Sequence, residues 1–251
     1  TPSMQRAAHQ RGADTVNLTH WQDKQMQGLL TAATEDELFD VLAAAAYDLG
    51  FEYCAYGLRM PLPVSNPKMY MKNNYSRHWQ DRYARQNYLR IDPTVAHGMQ
   101  SVLPLVWTDK VFGQCPEFWE DARGHGLRVG WAQSSYDARG VGGLLTLARS
   151  HDILGETELR EHSLKMSWLV QVAHEGMTRL VSIASPSHPP LTPREIEVLR
   201  WTADGKTSGE VGQIMHISER TVNFHVNNAL EKLGAVNKTA GVIKAAMLRL
   251  L

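Results

Sequence analysis

The sequence predicts an α+β chain in two parts: an N-terminal α-β-α sandwich with an antiparallel sheet, then a C-terminal all-α domain built on a helix-turn-helix. Three observations predict it. The chain has 251 residues, more than one ordinary domain of roughly 100–150 residues. Ser185-Pro186-Ser187-His188-Pro189-Pro190 carries three prolines that neither a helix nor a central strand tolerates. Before that seam strand-like and helical segments alternate, and after it every segment opens with a helix-capping pattern. The expected division is 1–185, a linker at 186–190, and 191–251.

In the N-terminal part, Glu35 to Leu49 reads as a helix and Phe51 to Gly57 as an aromatic-rich strand. Lys68 to Tyr75 is a second strand. Ser76 caps a helix on which Trp79 and Tyr83, four apart, share a face. Val102 to Trp107, Val129 to Asp137 and Val141 to Ser150 are further strands, the last two joined through Ala138, Arg139 and Gly140. A helix over Glu156 to Val181 closes the domain, with Leu159, Met166, Leu169, Val170, Ala173, Met177 and Leu180 on one stripe. Helices flanking an antiparallel sheet give the α+β class.

Past the seam, Thr192, Pro193 and Glu195 form a capping box, and the helix they open ends at Asp204-Gly205. Thr207-x-x-Glu210 opens a short second helix. Only His216 and Ile217 separate it from Ser218, the cap of a third helix reaching Leu233. So tight a link is the helix-turn-helix arrangement. Val222, Val226, Ala229 and Leu233 set the buried face of the third helix, leaving Arg220, Asn223, Phe224, Asn227 and Glu231 opposite. Amides and an arginine suit base edges, and Phe224 suits a thymine methyl. Thr207, Thr221 and Lys232 suit phosphates. An ordinary four-helix bundle with a solvated polar face is the plainer alternative.

Composition narrows the classes. Hydrophobic residues are 43% and charged residues 21%, enough apolar material for real cores. The longest apolar run, Val41 to Tyr47, is far short of the ~20 residues of a membrane span, and no basic-then-apolar signal opens the chain, so a cytoplasmic location is expected and no membrane partner. Lys plus Arg equals Asp plus Glu at 26 each; from Pro186 onward they stand at eight against six, a tilt of only +2. Cys54 and Cys115 form neither a disulfide framework nor a metal knuckle. An enzyme is the competing class, on eleven histidines and Gly140-Val141-Gly142-Gly143, but GxGxxG, P-loop, HExxH and GxSxG motifs are missing and His78, His97, His125 and His151 lack paired ligand spacing. No enzyme activity, metal or cofactor is expected.

Residues 191–251 carry Leu191-Thr192-Pro193-Arg194-Glu195, Gly205-Lys206, Glu210-Val211, Ile217-Ser218, Arg220-Thr221-Val222-x-x-His225 and Lys232-Leu233. This segment resembles the DNA-binding domain of the LuxR regulators, which implies double-stranded DNA as a partner. A phosphorylated receiver is excluded as the sensor, since the strand at Phe51 lacks the acidic pair such a domain needs. Over residues 30–182, Tyr75-x-x-x-Trp79-x-x-x-Tyr83, Ile91-Asp92-Pro93, Trp107 and Gly142-Gly143-Leu144-Leu145-Thr146 resemble the acyl-homoserine-lactone-binding domain of quorum-sensing LuxR proteins. The Asn66 to Trp79 segment is most similar to QscR-like orphan receptors.

That resemblance implies roles. Trp79 donates to the lactone carbonyl, Asp92 accepts from the amide N–H, and Tyr75 donates to the amide carbonyl with Thr146 as a second hydroxyl. Tyr83, Trp107, Phe118 and Leu127 wall the pocket, and Ala55 leaves space in it. Such a ligand needs donors, one acceptor and an apolar tunnel, and an ionised Asp92 would make a charge-assisted bond. Each residue also has a duller role: Asp92 before Pro93 is an N-cap arrangement, Trp79, Trp107 and Tyr83 suit a core, and Thr146 suits strand packing. Few cations on the third helix imply weak DNA binding by a single domain, so a homodimer is expected. The Glu156–Val181 helix would pair the sensors, and the Val242, Ile243, Met247, Leu250 stripe the DNA-binding domains, unless these apolar surfaces are satisfied within one chain. A regulator of the same kind sensing a non-lactone compound is the alternative.

Overall fold

The structure is a computed structural model that describes residues 21–183 and 189–251. It contains two compact units, one comprising the bulk of the chain through Ile183 and the other containing the C-terminal helices. The first four residues of the proline-rich seam lie outside the described residues.

In the first unit residues 21–31 are helical (α1), followed by α2 (Glu35–Asp48), β1 (Tyr53–Arg59), β2 (Met69–Asn73), α3 (Arg77–Arg85), a 3-10 turn (Tyr88–Arg90), α4 (Pro93–Gly98), β3 (Leu105–Val106), α5 (Pro116–Gly124), β4 (Val129–Tyr136), β5 (Gly142–Arg149) and α6 (Glu156–Ile183). The five strands form one sheet in the order β2-β1-β5-β4-β3, every pair antiparallel. Side chains alternate across it, as the pleat requires. Cys54, Tyr56 and Leu58 of β1, with Leu145 and Leu147 of β5, join the α2 and α6 residues in the main core. The other face carries a second cluster, including Trp79, Tyr88, Phe112, Phe118 and Ala148. The α-β-α sandwich predicted from the sequence is the fold found.

Three differences have local causes. The strand expected over Val102 to Trp107 shrinks to two residues. The carbonyls of Ser101, Val102 and Leu103 instead bond Ser134 Oγ, Gln133 Nε2 and His97 Nε2, and Pro104 has no N–H to offer a ladder. Helix α5 went unread because its N-cap, Cys115, makes no side-chain capping bond. Helix α4 begins at Asp92-Pro93 but has six residues, too few to display helical periodicity. The α6 stripe is consumed within the chain: Met166, Leu169, Val170, Ala173, Met177 and Leu180 are buried in the main core. That stripe therefore leaves no apolar surface for a partner.

In the second unit α7 (Pro193–Ala203), α8 (Ser208–Met215), α9 (Glu219–Leu233) and α10 (Lys238–Met247) follow the predicted caps. Thr192 and Thr207 each form a complete capping box, and Ser218 accepts from Thr221 N–H. The turn between α8 and α9 is tight. His216 takes the left-handed conformation at φ 54°, and a Cβ on Gly212 would lie 2.8 Å from the carbonyl oxygen of Ile217. Val222, Val226, Ala229 and Leu233 are all buried, as the periodicity requires.

Candidate functional site

A cavity of about 540 Å³ lies on the α4 face of the sheet in the first unit, within the usual size of small-molecule sites. All nine residues expected to contact a ligand, Ala55, Tyr75, Trp79, Tyr83, Asp92, Trp107, Phe118, Leu127 and Thr146, line this one space. They come from β1, the segment before α3, α3 itself, the cap of α4, the segment after β3, α5, the segment after α5, and β5. Only the tertiary fold brings them together.

One end of the cavity is aromatic. Trp79 packs edge-on to Tyr83 with ring centroids 5.7 Å apart and tilts against Phe118 at 5.9 Å. Tyr88 meets Phe118 at 4.9 Å, and Phe112 stacks on Trp119 at 4.2 Å. Trp107 lies edge-on to Phe112 at 5.6 Å. The cluster is braced from outside by Asp121 of α5, which accepts from the Tyr88 hydroxyl and from Arg82 Nε at 2.7 Å. Those two bonds hold the Asp121 carboxyl below its ordinary range. Tyr88, Phe112, Trp119 and Asp121 were not anticipated. Trp119 and Ala122 sit three apart on α5, a weak signal on a helix that sequence periodicity did not reveal.

Asp92 anchors the polar chemistry. Its side chain is buried, with 9% of the residue exposed. Oδ1 accepts from Thr94 N–H at 2.8 Å and from Thr94 Oγ1 at 2.6 Å, and Oδ2 accepts from the Tyr83 hydroxyl at 2.9 Å. It therefore caps α4 while the residue also lines the cavity. Burial pushes its carboxyl above the ordinary value, with the Thr94 and Tyr83 bonds pulling the other way. Tyr75 and Tyr83 are both pushed upward by burial, so both phenols stay protonated donors. The printed bonds of Tyr75 and Trp79 run through their backbones, and both residues line the cavity. A carboxyl acceptor, the Tyr75 hydroxyl, the Trp79 indole N–H and apolar walls suit an amide- or ester-bearing molecule with a hydrocarbon part.

On the second unit, Arg220, Phe224 and Asn227 stand exposed on one face of α9, Phe224 with 60% of its surface bare. Four other residues expected on this surface have intramolecular roles. Asn223 Oδ1 accepts from Ser208 Oγ at 2.7 Å and from Lys238 Nζ at 3.3 Å. Thr221 Oγ1 shares a hydrogen with Ser218 Oγ, and Thr207 belongs to its capping box. Lys232 donates to Glu195 Oε2 at 2.8 Å and to the Pro190 carbonyl at 3.2 Å, so its ammonium ties α9 to the start of α7. Lys238, held at Ser208 Oγ at 2.6 Å, is a cation at this face that pattern reading of α9 could not find, because it sits on α10. Val242 of α10 and Leu250 beyond its end pack within the unit, whereas Ile243 of α10 remains exposed.

Residues 34–177 match the autoinducer binding domain family, and residues 189–245 match the bacterial regulatory proteins of the luxR family. The chain belongs to the LuxR family of quorum-sensing transcription regulators. Among LuxR-type relatives, the transcriptional activator protein AnoR of Acinetobacter nosocomialis is 48% identical over 235 residues, covering 92% of this chain and 99% of its own. The crystal structure of Escherichia coli SdiA superposes with a TM-score of 0.81 at 33% identity, covering 93% of this chain and 98% of that one. SdiA in complex with octanoyl-rac-glycerol superposes with a TM-score of 0.79, also at 33% identity, covering 92% and 95%. As a LuxR-type regulator the chain pairs an autoinducer-binding domain with a helix-turn-helix. No helix among the described residues is long and apolar enough to cross a membrane.

Proposed function

We propose that the protein binds an N-acyl-homoserine lactone in the cavity beside α4 and, as a cytoplasmic homodimer, binds promoter DNA. Residues 1–185 form the ligand-binding and dimerisation part, 186–190 the linker and 191–251 the DNA reader. The observation that carries the proposal is the polar end of the cavity, where buried Asp92 stands with the Trp79 and Tyr75 side chains on one lining. Asp92 Oδ2 accepts the ligand's amide N–H, Trp79 donates to the lactone carbonyl, and Tyr75, with Thr146, donates to the amide carbonyl. Tyr83 orients Asp92 from the side, and Trp107, Phe118, Leu127 and Ala55 shape the apolar remainder. On α9, Arg220, Asn223, Phe224 and Asn227 face the major groove, while Thr207, Thr221 and Lys238 serve the phosphates and Lys232 braces the domain.

A second reading keeps the DNA reader and exchanges the signal for a non-lactone acyl compound. It is favoured by the octanoyl-rac-glycerol complex of SdiA. One experiment separates the two. The chain is expressed with an equimolar mixture of acyl-homoserine lactones and monoacylglycerols, purified, and extracted for mass spectrometry. A lactone retained at one per chain supports the first reading, a retained glycerol ester the second, and retention of neither removes both.

A further inference from the structure

We infer that the cavity is a channel graded for acyl chains of about ten carbons, with Gly57 as the floor position that keeps its outer half open. The inference rests on the proposed lactone function and adds the tail length and the residue that sets it.

The channel's direction follows from the strand register. On the cavity face, Ala55 pairs with Thr146, then Gly57 with Leu144, then Arg59 with Gly142. Buried Thr146, Trp79 and Asp92 mark the inner, polar end. The outer end is bare: Met69, which pairs with Arg59, is 44% exposed, and Tyr136, which pairs with Gly142, is 45% exposed. Helix α4 runs alongside, from Asp92 at its polar start to Gly98, whose Cβ position would lie 3.0 Å from Leu144. Met99, just beyond, lines the cavity and is exposed. A headgroup held at Asp92 therefore sends its tail outward along β1.

Two rulers give the length. Four residues of strand from Ala55 to Arg59 span about 13 Å, and the seven steps from Asp92 to Met99 along a helix span about 10 Å. An extended hydrocarbon with bonds near 1.5 Å advances roughly 1.25 Å per carbon, so about eight to ten carbons beyond the amide reach the rim. Halfway along lies Gly57, where an added Cβ would meet nothing within 4 Å. Gly57 lines the cavity, so this emptiness is free space in the channel.

Affinity is expected to rise about fourfold per methylene up to roughly ten carbons, the worth of burying each CH₂, and to level once the tail passes Met69 and Tyr136. Gly57→Val places two methyl groups in the middle of the channel. It should lower retention of the ten-carbon ligand roughly tenfold or more, as overfilling a packed site does, and leave six-carbon and shorter ligands unaffected.

The test is competition during expression of the full chain with an equimolar series of lactones from four to fourteen carbons, the retained distribution being read by mass spectrometry. A distribution centred near ten carbons for the wild type, moving to six or fewer in Gly57→Val, is the expected result. Equal retention of all lengths, or a distribution that Gly57→Val leaves in place, overturns the channel while leaving lactone binding intact. Retention of no lactone by the wild type overturns the lactone function and the channel with it. Should Gly57→Val give no soluble protein, Gly57→Ala is expected to shift the distribution in the same direction by about one carbon, and its failure to shift overturns the assignment of Gly57.

Discussion

Asp92 carries two duties on one carboxylate, and they can be separated. Oδ1 is spent on the α4 cap through Thr94, whereas Oδ2 meets Tyr83, and the residue lines the cavity. Asn is as good an N-cap as Asp, so Asp92→Asn keeps α4 started while removing the charge from the ligand's acceptor. Hydrogen bonds to charged groups contribute about 1.5–3 kcal/mol; lactone affinity measured by displacement should fall roughly 10- to 100-fold, with little change in the thermal midpoint of the unliganded protein. Unchanged affinity would remove Asp92 from the amide contact. The raised carboxyl adds a pH signature. Between the ordinary carboxylate value and the raised folded value, the free folded protein holds more protons than the unfolded chain, so its stability falls as pH rises through that window. An amide N–H donated to Asp92 favours the ionised form, so binding releases a proton and tightens as pH rises through the same window. Calorimetry in buffers of different ionisation enthalpy should detect that release in the wild type and none in Asp92→Asn. At this scale the sequence was most informative where residue chemistry is unusual: Asp, Trp and two Tyr at defined spacings. It was silent on Tyr88 and Asp121, which meet only because the 3-10 turn after α3 comes up against α5.

Elements were legible wherever their ends carry a chemical signal. The capping boxes at Thr192 and Thr207 and the cap at Ser218 located α7, α8 and α9, and the strands β1, β4 and β5 showed themselves by an aromatic-rich run and by the turn joining the last two. Helix α5 lacks a capping side chain and was invisible, and α4 showed only its Asp92-Pro93 cap because it lacks length, although both contribute to the cavity lining. Some tertiary ties between elements also escape pattern reading, the Lys232–Glu195 pair above all. Glu195 is the N3 residue of a capping box and is buried. Burial alone would raise its carboxyl, but the Lys232 ammonium and the Thr192 N–H together hold it below the ordinary value. A depressed folded value contributes stability that is present above the unfolded carboxylate range and lost as pH falls through the folded one. Lys232→Met should thus destabilise the C-terminal unit by about 2 kcal/mol at neutral pH, since it strands a buried carboxylate. The deficit should shrink as the solution is acidified and Glu195 is protonated. Denaturant melts at neutral and acid pH check this; an equal loss at both would assign Lys232 a packing role alone.

At the scale of the whole molecule the question is how occupancy of the cavity reaches the DNA. The neutral composition, 26 basic against 26 acidic residues, gives little bulk attraction to a polyanion, and α9 offers Arg220 as its one cation free of an ion pair among the described residues. Few phosphate contacts imply a shallow dependence of binding on salt and a weak single domain, so pairing two readers is what would make affinity useful. The buried face of α6 belongs to the chain's own core, so the proposed pairing would have to use other surface, and Ile243 of α10 is one exposed apolar residue open to it. Ligand enters this balance by mass action. Under the proposed function a ligand that binds only the folded state adds its binding free energy to the stability of that state. A ligand at about 100 times its dissociation constant stabilises by roughly 2.7 kcal/mol, enough to move a marginal fold to a persistent one. Two linked outcomes should follow when the full chain is titrated with its lactone: the thermal midpoint should climb with the logarithm of ligand concentration, and sedimentation should show dimer accumulating over the same range. A midpoint that climbs while the protein stays monomeric would uncouple ligand from assembly and confine the signal to folding.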